Sequence, residues 1–280
     1  MPQRHRYTQD AWKVDPTMSA QPRKVAICNQ KGGVGKTATT LGLASALADA
    51  GWHTLVVDMD PQCNATKGLG VSVDSEMRTT YDLMTAMAEG RAADAIVATD
   101  WDKVDLIPAH QTLANIESDG ANDLIFRLDV AFEGVDLSPY SAVLFDCPPS
   151  LGKILFAVLC ACDGVLAVTE PTIDSVDGVE NLRETIQNVK KRPNPRLELD
   201  KIVLSRKRRT GEHIFRENEL RETYGDVVAR TGIPELAARQ DAHSSRTPIH
   251  LFTGGKATAL RVAYSDLLQE LTFEKTGVAV

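Results

Sequence analysis

The chain has 280 residues, 43% of them hydrophobic and 25% charged, enough to bury a large core in one α/β domain or two small ones. Its formal net charge of −7 excludes a protein that is basic all over, so any nucleic-acid contact must come from a local patch. No apolar run approaches the roughly 18 residues of a membrane span, and residues 1–22 carry charges and prolines where a signal peptide has its apolar stretch, so the expected location is the cytosol.

In chain order, residues 1–22 are polar, lack periodicity and end in Pro22; they read as a mobile arm ahead of one domain over 23–280. From Lys24 onward, short β-rich runs alternate with amphipathic segments. The runs are KVAIC (24–28), TLVVD (54–58), VDLIPA (104–109), AVLFD (142–146), GVLAVT (164–169) and KIVLS (201–205). Continuous Val, Ile and Leu point to strands covered on both faces, as in a parallel sheet. Helices are expected at about 36–50, 113–134, 151–162, 175–191, 214–224 and 256–271, where apolar residues recur every three or four positions. The run VVART at 227–231 reads as a further strand. The alternation predicts a doubly wound, mostly parallel α/β sheet with helices on both faces. Five cysteines, an odd number, each in or beside an apolar segment, suit reduced thiols better than a disulfide framework.

The strongest motif is Lys31-Gly32-Gly33-Val34-Gly35-Lys36-Thr37, directly after KVAIC and directly before the helix that Ala38 continues. A phosphate loop needs this strand–loop–helix setting, because glycines let backbone N–H groups turn onto a polyphosphate while the helix N-terminus adds its dipole. These residues, Lys31 to Ala38, are the candidate ATP/ADP contacts. Lys36 would reach the β- and γ-phosphates and the Thr37 hydroxyl would ligate Mg²⁺. Against G-x-x-x-x-G-K-[ST] the match is incomplete, since Asn29 or Gln30 stands where the first glycine would be. The form KGGxGK[ST] resembles the deviant P-loop of the ParA/MinD superfamily, and the chain as a whole resembles the ParA family of DNA-partitioning ATPases. The resemblance implies that Lys31 reaches across a dimer interface to the partner's nucleotide; a second cation there would neutralise charge that develops during phosphoryl transfer.

Three carboxylates follow. The second strand ends in Val57-Asp58-Met59-Asp60-Pro61-Gln62, at the sheet edge where ligands of open α/β folds collect, and strand alternation points Asp58 and Asp60 the same way. The segment resembles the family's DxDPQ switch, which implies that Asp60 orients or activates the attacking water and Asp58 helps to hold the Mg²⁺ shell. Asp146 closes AVLF and is the Walker B position, acting on Mg²⁺ directly or through water. The following Cys147-Pro148-Pro149-Ser150-Leu151-Gly152 resembles switch II, although family members often carry Thr and Asn where this chain has Leu155 and Ala157. Pro234, in Gly232-Ile233-Pro234, resembles the segment that lines the adenine base.

From 190 to 209 the chain carries nine basic residues, with Glu198 and Asp200 the only acidic ones. By likeness to the family, Arg206, Lys207, Arg208, Arg209, Arg239, Arg246 and Lys256 are candidate contacts to non-specific double-stranded DNA. The pattern IPRNxRLSEAPSxGKP is replaced by IPELAARQDAHSSRTP, so Glu235 replaces a basic position and Arg239 and Arg246 sit one place from the usual ones. The C-terminal stretch has an apolar face, with Leu260, Val262, Leu267, Leu268 and Leu271 expected in the core, and lacks the basic amphipathic helix of membrane-bound relatives. The implied activity is Mg²⁺-dependent ATP hydrolysis by an ATP-dependent homodimer on the nucleoid, stimulated by a ParB-like centromere-binding protein. Two rival readings are a ParA-like ATPase that positions a protein cargo and an iron–sulfur reductase or carrier of the same superfamily.

Overall fold

Continuous apolar strands can be buried only if helices cover both sheet faces. The computed structural model, which describes residues 21–254, 256–271 and 273, has this arrangement. The expected arm falls outside the described residues up to position 20. Among the described residues, β1 (Arg23–Cys28), β2 (Thr54–Asp58), β3 (Val97–Ala98), β4 (Val104–Ile107), β5 (Ala142–Asp146), β6 (Gly164–Thr169) and β7 (Glu198–Leu204) form one seven-stranded sheet. The spatial order is β3-β4-β2-β5-β1-β6-β7. All neighbours pair in parallel except β3, a two-residue antiparallel edge strand too short for a periodic signal.

The helices are α1 (Lys36–Asp49), α2 (Asn64–Gly68), α3 (Thr80–Met84), α4 (Arg127–Phe132), α5 (Lys153–Ala161), α6 (Ser175–Lys191), α7 (Gly211–Tyr224), α8 (Ala238–Ser244) and α9 (Ala257–Gln269). Alternation along the strands divides the core in two. Ala26, Cys28, Val57, Phe145 and Ala167 pack toward α3 to α7. Val25, Ile27, Val56, Leu144 and Val168 pack toward α1, α2, α8 and α9. The five- to seven-residue helices α2, α3 and α8 fall below the length at which periodicity can be read.

Three expectations change. The segment 113–134 is not one helix but two stretches of 3₁₀ turn, Gln111–Ser118 and Leu124–Phe126, followed by α4. The buried Arg127 guanidinium donates to Asp119 (3.0 Å), Asp123 (2.9 Å) and the Met84 carbonyl (2.9 Å), folding the segment back on itself. A continuous helix would hold residues 119 and 127 about 12 Å apart along its axis. The run 227–231 is not a strand of the sheet; Val228 makes a single bridge to Ile202. In α9, Leu260 and Leu267 are buried, as is Leu271 just beyond it, and Leu268 is partly buried, but Val262 is 52% exposed.

α1 crosses α9 where Gly42 meets Tyr264. The Tyr264 hydroxyl donates to the Ala38 carbonyl (2.9 Å), and a Cβ at Gly42 would lie 2.2 Å from the ring's Cζ and 2.4 Å from both Cε atoms, far inside van der Waals contact. We therefore expect Gly42→Ala to destabilise the protein by about 1–3 kcal/mol through overpacking. Chemical denaturation of Gly42→Ala, Tyr264→Leu and the double variant checks this: the two changes should couple rather than add, and an unchanged midpoint for Gly42→Ala would contradict the packing.

Candidate nucleotide site

The loop after β1 is anchored at both ends. The buried Asn29 donates from Nδ2 to the Val168 carbonyl of β6 (2.9 Å), and its Oδ1 accepts from the Lys31 N–H (2.9 Å), so an amide side chain anchors the loop next to position 30, where the ordinary motif has its first glycine. Gly33 and Gly35 have φ of 75° and 97°, the left-handed region that side chains disfavour, and a Cβ on Gly35 would also lie 3.2 Å from the Ser205 hydroxyl. That hydroxyl donates to the Val34 carbonyl, while Arg206 Nη1 donates to the Gly33 carbonyl (2.9 Å). The tip of β7 thus braces the loop.

The two lysines of the motif separate. Lys36 opens α1 with 6% exposure, and its Nζ donates to the Lys31 carbonyl (3.2 Å). Burial lowers its pKa, opposed chiefly by the Asp146 carboxylate. Lys31 is exposed, with its Nζ against Thr172 (3.4 Å) and Asp174 (3.2 Å) of its own chain.

Parallel register sets Asp58 directly opposite Asp146 at the ends of β2 and β5. Asp146 accepts from Thr37 Oγ1 (2.7 Å) and Thr40 Oγ1 (3.1 Å), joining strand end to helix start. Both aspartates are fully buried, and desolvation, reinforced by the neighbouring carboxylates, raises their pKa values. Asp58 is taken up in building the next segment: Oδ2 accepts from the Thr66 amide (2.8 Å) and hydroxyl (2.7 Å), and Oδ1 from the Asp60 amide (3.1 Å). Asp60 lies beyond the strand and accepts from the Gln62 amide at 2.9 Å. The five cysteines are buried free thiols, and burial holds Cys147 and Cys162 well above the usual thiol range.

A cavity of about 730 Å³ opens over the loop. Gly32, Gly33, Gly35, Lys36, Thr37 and Ala38 form one wall, Asp60 and Gln62 another, and Pro149 of the Cys147–Gly152 segment a third. α8 contributes Arg239 and His243 to the lining, and Trp101 and Tyr264 also face the space. The sequence reading missed the part played by Trp101, His243 and Tyr264, which nothing in their local pattern marks. It also assigned Arg239 to a surface rather than to this lining. Pro234, expected beside a base, is not in this lining; it bridges Lys207 past the end of β7.

The basic run is largely neutralised. Arg206 pairs with Glu170 (3.5 Å) and Glu235 (2.7 Å), Arg208 pairs with Glu235, and Lys207 with Glu217 (2.6 Å). Hydrogen bonds from Arg208 and Arg206 hold the Glu235 carboxyl down at about 2. Arg206 is a brace for the phosphate loop rather than a free surface cation. Arg209, Arg246 and Lys256 are exposed, and among the described residues no carboxylate pairs with them.

A parallel sheet, a glycine loop entering a helix at its edge, a buried lysine on that loop, and a strand-end aspartate on the helix's first hydroxyl define a P-loop ATPase. The AAA domain family model matches residues 22–199. The chromosome partitioning protein ParA of Caulobacter vibrioides is 36% identical over 263 residues, covering 90% of this chain and 97% of that protein. The Bacillus subtilis sporulation initiation inhibitor Soj is 34% identical over 250 residues, covering 88% and 97%. A Mycobacterium smegmatis structure described as cobyrinic acid a,c-diamide synthase with bound ADP and magnesium superposes with a TM-score of 0.70 at 29% identity, over 81% of this chain and 91% of that one. The ATP complex of Cyanothece McdA (D38A) shares the fold, with a TM-score of 0.79 at 20% identity over 90% and 97%. The chain belongs to the ParA family of partition ATPases.

Thr66 serves Asp58 twice and also accepts from the Ala109 amide at 3.0 Å. Thr66→Val removes one of the donors to the buried Asp58 carboxylate and leaves the Ala109 amide without its acceptor, and should cost about 1–3 kcal/mol, with Thr66→Ser close to wild type. Denaturation midpoints check this, and a Thr66→Val variant as stable as wild type would contradict it.

Proposed function

We propose that this chain is an ATP-switched partition ATPase whose two subunits close face to face over two nucleotides, hold double-stranded DNA without sequence preference, and separate on hydrolysis. The observation that carries the reading is the division of labour between Lys36 and Lys31: one is turned into its own cavity, the other stands exposed at the rim. The Lys31–Asp174 contact is an exposed ion pair, worth at most about 1 kcal/mol, so Lys31 can leave it for a phosphate on a second copy.

Within one subunit, Lys36 and the loop amides bind the β- and γ-phosphates. Hard oxygen donors are what Mg²⁺ requires, and Thr37 and Asp146 provide them; Mg²⁺ when bound would neutralise charge on the phosphates. Among the described residues no group of three or more His, Cys, Asp or Glu side chains could hold a metal by itself. Asp58 holds the Asp60 turn, and Asp60 in the cavity wall orients the attacking water. Lys31 of the second copy would meet charge that grows as the γ-phosphoryl leaves. The composite DNA surface falls to the exposed cations Arg209, Arg246 and Lys256, which no carboxylate pairs among the described residues.

The relatives named for chromosome partitioning favour DNA as cargo, and the activator of this reading is a ParB-like centromere-binding protein. That cargo places the work in the cytoplasm on the nucleoid; no described helix is long and apolar enough to cross a membrane.

ATP turnover measured with and without duplex DNA and the partner tests this. Basal turnover should be slow and rise when both are present; no turnover under any condition would refute the reading. Asp60→Ala should keep ATP binding, lose turnover and stay on DNA as a dimer. Six exposed cations per dimer would give a log–log salt slope of roughly −5. Salt-independent binding would contradict the DNA surface.

A further inference from the structure

Arg239 was expected on a DNA-facing surface, and the fold turns it elsewhere. Ala238 and Ala242, 3% and 4% exposed, fix α8 within the core shared with α1 and α9. One residue further along a helix is a rotation of about 100°, so Arg239, and His243 four residues on, share the adjoining face. That face lines the same cavity as Gly32, Gly33, Lys36 and Thr37. The positive charge of Arg239 lies close enough to His243 and Tyr264 to disfavour protonation of the one and favour ionisation of the other, behind the dominant effect of burial. Tyr264 in turn is hydrogen-bonded to Ala38, the residue after Thr37.

Several cations of this half of the chain have carboxylates: Arg206 and Arg208 take Glu235, Lys207 takes Glu217, and Arg261 takes Asp49, whereas Arg209, Arg246 and Lys256, which have none among the described residues, are exposed to solvent. Among the described residues Arg239 has no hydrogen-bond acceptor or ion-pair partner, although it is half-buried. A guanidinium that lines the same cavity as a loop shaped for phosphates, with no acceptor among the described residues, offers the planar, multi-donor geometry that phosphate oxygens accept best.

The geometry points to Arg239 as a nucleotide contact: its guanidinium takes the terminal phosphate of the triphosphate bound in the same subunit, so that α8 distinguishes ATP from ADP. The inference rests on the nucleotide reading above and adds to it a sensor outside the loop. It also gives that sensor an outlet. His243 packs on Gly68, the last residue of α2, where an added Cβ would lie 2.8 Å from the imidazole Cε1. α2 carries Thr66, which holds Asp58 and through it the Asp60 turn. Movement of α8 toward a γ-phosphate is therefore passed to the residue that orients the attacking water.

The test is titration of the full chain with fluorescent mant-ATP and mant-ADP in Mg²⁺, for wild type, Arg239→Ala, Arg239→Gln and Arg239→Lys. Loss of a charge-assisted, bidentate contact should lower mant-ATP affinity roughly tenfold or more in the Ala and Gln variants, while mant-ADP affinity stays within about twofold and Lys is intermediate. Melting temperatures without nucleotide identify any variant that fails to fold, and the remaining variants then carry the comparison. Equal losses for both nucleotides, or no loss for either with weakened duplex binding alone, would overturn the inference. Wild-type protein that binds neither nucleotide sinks the nucleotide reading and this one with it; wild-type preference for ATP that survives Arg239→Ala sinks this one alone.

Discussion

Asp146 is a carboxylate with no exposed surface, and a group of that kind persists only if other atoms satisfy it. Two hydroxyls of α1, from Thr37 and Thr40, do so, and with them the end of β5 is tied to the start of the helix that follows the phosphate loop. Register with β2 then sets a second buried carboxylate, Asp58, beside the first, and this one is satisfied by Thr66 and the Asp60 amide. The pair cannot be neutralised by water. Its pKa values rise, and the arrangement is poised for a cation at the mouth of the site. Loop, helix and switch segment all take their positions from this buried, hydrogen-bonded edge.

The lysines follow from the same geometry. Lys36 begins α1 and is drawn under the loop, where desolvation is tolerated because Asp146 and Asp60 lie near. Lys31 precedes the first glycine, beside the turn that Asn29 anchors, and its Nζ lies against Thr172 and Asp174 instead. A five-residue offset along a loop with two left-handed glycines is enough to give one motif two cations with different destinations.

Much of this was legible in the sequence because it is local. Six strands were marked by continuous Val, Ile and Leu, and the helix over 175–191 coincides with α6. The loop and the three aspartates were identified by residue types within a few positions of one another. What escaped is non-local or short. Arg127 folds back on Asp119 and Asp123 and breaks a segment whose apolar spacing reads as one helix. The basic run 206–209 looks like a cationic surface until Glu170, Glu217 and Glu235 arrive from three other places in the chain. Arg239 looks like surface because a seven-residue helix gives no face to read; only the tertiary anchor at Ala238 and Ala242 shows which way it turns.

The central claim is that each site is completed by the other subunit's Lys31, and a mixing experiment addresses it directly. Lys31→Ala and Asp60→Ala proteins, each without stimulated ATP turnover alone, are combined and turnover is measured. A mixed pair contains one site with an intact Asp60 and a lysine donated by its mate, so the account predicts that activity reappears on mixing. Turnover that stays absent while mixed dimers form would mean that Lys31 serves its own subunit, and would contradict it.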